Sequence, residues 1–150
     1  MTEENRKLLL VDLCGRLPYG VVVNYNGLLQ PLFGIEPTQH FQIILDNALD
    51  GEHNGLVYVS LDVGENPKPY LRPLSSMTKE ELHEVQEILG KGVEIREDFI
   101  LSIDSSMNSF TYLELQAVFD WLNAHYFDYR GLIEKGLAIE VTEENNPYKI

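Results

Sequence analysis

The sequence predicts an α+β fold: a bent antiparallel sheet or small open barrel, with an N-terminal helix and two longer amphipathic helices packed on it. Three observations carry this. Two β-textured apolar runs flank Asn26-Gly27, the dipeptide that supplies the two positive φ angles of a type I′ hairpin turn. Apolar residues recur at helical spacing from Leu82 to Leu89, behind Thr78 and Glu81. They do so again from Leu115 to Tyr126, behind Thr111 and Glu114.

Taken in order, Thr2, Glu3 and Glu4 precede the apolar run Leu8 to Cys14, and Gly15 follows it. A capping residue, acids in the first turn and a closing glycine predict a short buried helix, with Cys14 as a small core residue rather than a nucleophile. Val21 to Tyr25 and Leu28 to Phe33 form the hairpin, and Pro31 assigns the second arm to a sheet edge or a bulge. Phe41 to Asp46 and Leu56 to Asp62 read as further strands around the polar loop Asn47 to Gly55, and Tyr70 to Leu74 as a short fifth. In the second half, Leu82, Val85, Ile88 and Leu89 mark the inner face of a helix ended by Gly90 or Gly92, and Val93 to Asp104 contains an extended segment. The longest helix is expected from Tyr112 to about His125. Leu115, Val118, Phe119, Leu122 and Tyr126 lie on its stripe, widened by Ala117 and Trp121, with Glu114, Asp120 and Asn123 mainly away from it. Gly131 to Gly136 reads as a single helical turn, Leu137 to Val141 as a last strand, and Thr142 to Ile150 as a polar, mobile tail.

The 150 residues predict one domain, spanning 1–150, able to bury about two thirds of its unfolded surface without staples. Cys14, the single cysteine, cannot form an internal disulfide. No charged segment followed by an apolar one opens the chain, and no apolar run approaches the ~18 residues of a membrane span, so a soluble, cytoplasmic protein is expected. The net charge is −13, of which residues 76–150 carry −9 with 15 acids and 6 bases. Such a field repels nucleic-acid phosphates and anionic membrane, which makes direct nucleic-acid binding disfavoured and a basic protein the favoured partner. A homo-oligomer through the sheet edge is a further possibility of this architecture.

The segments LCGRLPYGV at 13–21, KPYLRPLSSMT at 68–78 and DWLNAHYFDYRGLIEKGLA at 120–138 resemble a family of small uncharacterised proteins encoded by phages and mobile elements of gut anaerobes of the Bacteroides group. The resemblance spans nearly the whole chain. It implies no reaction, cofactor or partner, and no functional residue is carried over from it. It implies a context, that of small accessory proteins that bind something of the host or of the replicating element.

Two candidate surfaces follow from the residues themselves. Glu80, Glu81, Glu84, Glu87, Glu94, Glu97 and Asp98 form an acidic set that would engage a basic protein, in its sharpest form as a mimic of nucleic acid with carboxylates at phosphate-like intervals. Solubility alone is the plainer account of the same charges. The alternative site is His125, Asp128, Tyr129 and Arg130, where a His/Asp acid–base or ligand pair stands beside an anion-holding arginine; helix-end electrostatics and core closure explain the same residues. His83 and Glu87 stand at i, i+4 ligand spacing, which a solvated helix face also explains. His40 and His53 flank a strand, and surface polarity accounts for them. Lys68, Tyr70 and Arg72, with Arg16 and Tyr19, offer a basic and aromatic patch for an anion, against a structural reading in which the tyrosines pack and Arg72 pairs with an acid. There is no phosphate-binding glycine loop, paired-cysteine zinc spacing, Gly-x-Ser-x-Gly elbow or His-Glu-x-x-His, so no catalytic residue, metal ligand or cofactor is assigned and an enzyme is disfavoured.

Overall fold

Thr2 opens the first helix, α1 (Glu3–Arg16), as its N-cap: the hydroxyl accepts a hydrogen bond from the Asn5 amide at 3.2 Å, and Glu3 and Glu4 place negative charge at the positive end of the helix. The computed structural model describes residues 1–36, 42–47, 55–61, 66–89, 93–95, 101–103 and 112–149, without the side chains of 93–95, 101–103 and 112. Helices and strands together make the expected α+β fold. It divides into two compact units, Met1–Leu71 with Arg130–Ile150, and Arg72–Tyr129.

In the first unit α1 buries the stripe Leu9, Asp12, Leu13 and Arg16. Asp12 and Arg16 are both 0% exposed, one turn apart. The Arg16 guanidinium donates to Asp12 through Nε at 2.7 Å and Nη2 at 2.9 Å, and Arg130 Nε lies 3.4 Å from Asp12 Oδ1. This corrects two expectations. The helix continues past Gly15 to Arg16, and Cys14 is exposed rather than part of the core. A run without period cannot say which of its residues face inward; the 100° step of the helix buries one stripe, and that stripe includes two charged residues.

The hairpin forms as predicted. β1 (Val22–Tyr25) pairs antiparallel with β2 (Leu28–Glu36) across Asn26 and Gly27, whose φ angles are 52° and 78°, and the Asn24 carboxamide oxygen accepts from the Gly27 amide at 3.2 Å. Of the edge or bulge expected from Pro31, the structure shows the bulge, in an interior strand. The order is β4-β3-β2-β1-β5, with β3 (Gln42–Asp46), β4 (Leu56–Ser60) and β5 (Lys68–Pro73). The Leu32 amide donates to Val21 O at 2.9 Å, so the neighbouring Pro31 nitrogen faces the β3 side, where pairing begins only at Leu32 and is bulged between Leu32 and Gly34. The missing N–H therefore falls where no ladder bond is needed. Phe41 and Asp62, expected at strand ends, lie outside the described residues.

Val23, Leu32, Ile43, Leu45 and Val59 are the buried apolar members of β1 to β4, and Gln30 is buried beside them. β5 pairs with β1 at Val23↔Pro69 and, in parallel, with β9 (Ile139–Glu140) at Tyr70↔Ile139, where the Val141 amide donates to Leu71 O at 2.8 Å. The ladder is therefore mixed at β5, because residues from the chain's last quarter return alongside it. The predicted helical turn before β9 closes as a Schellman motif, with the Gly136 amide on Ile133 O, the Leu137 amide on Leu132 O, and Gly136 at φ 68°.

The polar tail makes hydrogen bonds to the sheet. Tyr148 OH donates to Tyr70 O at 2.8 Å and accepts from the Val22 amide at 3.2 Å. The Asn145 side chain accepts from the Thr142 amide at 2.7 Å and donates to Glu140 O at 3.0 Å, which folds the intervening residues into a turn. Composition reads this segment as solvent-loving; the Tyr148 hydroxyl nonetheless ties it to β5 and to Val22.

The second unit is built on two capped helices. α2 (Lys79–Leu89) starts with a complete capping box: the Glu81 amide donates to the Thr78 hydroxyl at 3.1 Å and the Thr78 amide to the Glu81 carboxylate at 2.9 Å. α3 (Tyr112–Ala124) supplies Val118 and Leu122 to a core completed by Leu74, Val85, Leu89 and Phe127. Thr111, the cap expected for α3, lies outside the described residues. Two stripe assignments reverse: Phe119 is exposed at 42%, and Asn123 is buried, accepting a hydrogen bond from Tyr129 OH at 3.1 Å. A buried amide is tolerated when its partner is supplied by another segment, which local periodicity does not report. α3 ends with Tyr126 at φ 62°, a left-handed conformation that costs a non-glycine residue about 1–2 kcal/mol. It turns the chain so that Tyr126 O accepts the Arg72 amide at 2.7 Å and β8 (Phe127–Asp128) pairs in parallel with the end of β5. β6 (Val93–Ile95) and β7 (Leu101–Ile103) form an antiparallel pair inside the expected extended segment.

Asp12 tests the buried charge cluster. Asp12→Asn leaves the Arg16 guanidinium buried without its carboxylate and is expected to lower stability by about 3–5 kcal/mol in urea unfolding. An unchanged unfolding midpoint would show that the pair is dispensable.

Candidate functional site

The helical register of α2 separates its residues by chemistry. Val85 and Leu89 point into the core, while Glu80, Glu84 and Glu87, at i, i+4 and i+7, are exposed on one outward stripe. The helical rise sets successive carboxylates roughly 4.5–6 Å apart along the axis. Glu84 accepts a hydrogen bond from Trp121 Nε1 at 3.1 Å, and Glu87 lies 3.3 Å from His83 Nε2, with both side chains about 70% exposed.

Glu81 belongs to a different structure. Its carboxylate receives both Arg72 terminal nitrogens, at 2.8 and 2.9 Å, as well as the Thr78 amide, and the Arg72 guanidinium carbon sits 4.2 Å from the centre of the Phe127 ring. Burial pushes the Glu81 carboxyl upward, but the hydrogen bonds from Arg72 and Thr78 and the Arg72 charge outweigh it and hold the group below its ordinary value. Glu94 lies in β6 with its side chain outside the described set, and Glu97 and Asp98 lie outside the described residues. Of the acidic set, Glu80, Glu84 and Glu87 thus form the outward surface, and Glu81 is an anchor of the helix.

The residues of the alternative site have separate partners. The His125 ring stacks on Trp121 with centroids 3.9 Å apart, and its Nδ1 lies 2.8 Å from Trp121 O. Trp121 also stacks on Phe127 at 5.8 Å. Asp128 is buried in β8 opposite Pro73, Tyr129 OH binds Asn123, and Arg130 lies against Asp12. Among the described residues no group of three or more His, Cys, Asp and Glu side chains is placed to hold a metal ion. His40 and His53 lie outside the described residues.

The basic and aromatic patch also resolves into structural roles. Arg16 is buried on Asp12, Arg72 is bound by Glu81, and Tyr70 is 8% exposed, leaving Lys68 exposed at the start of β5. Cys14 is exposed, and partial burial of its thiol holds it above its ordinary pKa, the opposite of an activated thiolate. Comparison with protein-family models, with curated proteins and with solved structures gave no match. No helix among the described residues is long and apolar enough to cross a membrane.

Two structural features carry little or no local signal in the sequence. The Asp12/Arg16 pair has i, i+4 spacing that was available as a signal, but such spacing ordinarily marks an exposed pair. Tyr148 had no signal in its polar surroundings.

The Arg72–Glu81 bridge yields a signed pH test. Because the folded pKa of Glu81 is lowered, its contribution is fully present above its unfolded value near 4.5 and is lost as pH falls through the folded value. Glu81→Gln is expected to cost about 1–3 kcal/mol at neutral pH and to flatten the acid limb of a stability–pH curve. An acid limb as steep as wild type would remove Glu81 from that role. Trp121 is only partly buried, so Trp121→Ala is expected to cost about 2–3 kcal/mol, below the 3–5 of a fully buried aromatic, in the same unfolding assay. A wild-type midpoint would show that its stacking and packing contribute nothing to the fold.

Proposed function

We propose that this chain is a small acidic, non-enzymatic interaction protein of a phage or mobile element, which binds a basic protein of the host or of the element through its acidic second half. The observation that carries the reading is the outward stripe Glu80, Glu84 and Glu87 on a helix that is itself firmly held. The capping box and the Arg72 bridge fix the start of α2, and Val85 and Leu89 fix its inner face. A partner therefore meets carboxylates whose spacing is set before binding, and little ordering entropy is lost on contact. Residues 76–150 carry a net −9, which extends the attraction beyond the stripe.

In this reading the partner is a cytoplasmic nucleic-acid-binding protein, and the stripe occupies the surface that would otherwise hold phosphates. The basic partner is drawn in by long-range attraction and released as salt screens it, over a Debye length of about 8 Å at physiological ionic strength. Mimicry adds competition with the nucleic acid for the same basic surface.

Affinity capture from a lysate of a Bacteroides-type host, washed at low and at high salt and read by mass spectrometry, tests the proposal. The expected result is a basic partner retained at low salt, lost at high salt and displaced by DNA. The triple variant Glu80→Lys, Glu84→Lys, Glu87→Lys is expected to abolish capture while keeping the wild-type circular dichroism. Capture that is indifferent to salt and to the triple variant overturns it.

A further inference from the structure

Asn26 precedes a glycine at the tip of the β1–β2 hairpin; both residues are exposed, and both hold positive φ angles, 52° and 78°. An asparagine so placed can react with its own backbone, because nucleophile and carbonyl are neighbours in one chain. The Gly27 amide nitrogen, once it gives up its proton, attacks the side-chain carbonyl carbon Cγ of Asn26. An N–Cγ bond forms, the Cγ–Nδ2 bond breaks, and the amide nitrogen of the side chain leaves as ammonia. Water then opens the resulting cyclic imide at either carbonyl and leaves aspartate or isoaspartate. Glycine offers the least obstruction to this ring closure, and a Cβ built at Gly27 would meet nothing within 4 Å among the described residues.

A chain of hydrogen bonds opposes the reaction. The Gly27 N–H donates to Asn24 Oδ1 at 3.2 Å, and Asn24 Nδ2 donates to the Tyr70 hydroxyl at 3.2 Å. A backbone N–H can only donate, which fixes Oδ1 as the Asn24 atom that faces it and turns Nδ2 toward Tyr70. Tyr70 is buried in β5, which pairs with β1 at Asn24↔Lys68. The amide that must lose its proton is therefore tied to a side chain that the sheet itself holds in place. The pair Tyr25↔Leu28 closes the ladder beneath the turn and limits how far Gly27 can swing.

We infer that Asn26 is a site of spontaneous modification, deamidation through a cyclic imide formed with Gly27, and that Asn24, oriented by Tyr70, is the positioning residue that holds it in check. Asn24 Oδ1 binds the very proton whose departure starts the reaction, and it anchors the nitrogen in the conformation of the turn. The two products differ in consequence. Aspartate keeps the backbone and adds one carboxylate at the hairpin tip. Isoaspartate also places an additional methylene in the main chain of a two-residue loop, so the paired φ angles of the type I′ turn no longer match the ladder. The tip thus carries a slow, one-way change of charge and backbone, with its rate set by a side chain outside the turn's central residues. This site is separate from the acidic stripe on α2.

A time course of the full chain at mildly alkaline pH, read by mass spectrometry of its peptides, tests the inference. Cleavage after glutamate separates Asn26 from Asn54-Gly55, the second Asn-Gly pair of the chain, because Glu36 lies between them. In the folded wild type Asn26 is expected to convert more slowly than in the same chain unfolded by urea. Asn24→Ala is expected to speed conversion at Asn26 by about two- to tenfold, the rate equivalent of one hydrogen bond, with the Asn54 rate and the circular dichroism unchanged. Asn24→Asp keeps an acceptor for the Gly27 amide and is expected to stay close to wild type, a rescue that a merely loosened hairpin would not show. Tyr70→Phe removes the orienting partner of Asn24; a faster Asn26 there is expected, and its rate decides the matter should Asn24→Ala fail to fold. Equal Asn26 rates in wild type and in the folded variants overturn the inference, as does a folded wild type that converts as fast as the unfolded chain.

Discussion

The backbone of β5 is the constraint on which the rest depends. Pro69, Tyr70 and Leu71 are buried, and a buried peptide group without a hydrogen-bond partner costs about 1–3 kcal/mol. Partners come from remote parts of the chain: Val141 N–H and Tyr148 OH reach Leu71 O and Tyr70 O in the first unit, and Tyr126 O takes the Arg72 amide in the second. Satisfying these few groups is what recruits β9, the tail and β8. It also accounts for Tyr126 in a left-handed conformation, since the turn after α3 must deliver a carbonyl to Arg72.

Paired charge is the second theme. Each unit holds an arginine against a carboxylate by two hydrogen bonds, Arg16 on Asp12 in one and Arg72 on Glu81 in the other. Only Asp12 and Arg16 are fully buried; such a pair adds little net stability over an apolar packing, but removing either member leaves a desolvated charge, whereas Arg72 and Glu81 are partly exposed. Both arginines thus serve the fold, and the exposed charges lie elsewhere on the surface.

On that surface the protein offers two unlike faces. The α2 stripe is charged and held rigid by the elements beneath it, whereas β4 is uncharged and presents backbone groups as well as side chains. Attraction of the proposed basic partner to the first would weaken with salt, since screening acts on exposed charge.

Wherever a signal was local, the sequence sufficed. Asn26-Gly27 determined the hairpin because only a type I′ turn uses both positive φ angles, Thr78 and Glu81 determined the start of α2 because each completes the other's hydrogen bond, and Thr2 capped α1. The apolar period placed α3 and most of its core face. What only the tertiary structure decided were the outcomes set by distant partners: that Pro31 lies in an interior strand, that Asp12, Arg16 and Asn123 are buried while Cys14 and Phe119 are not, and that Tyr148 seats the tail. The acidic set divided in the same way, Glu81 being claimed by an arginine nine residues before it while Glu80, Glu84 and Glu87 remained outside. Helical phase and turn geometry are written in a few consecutive residues, but whether a polar group is worth burying depends on a partner that local sequence cannot see.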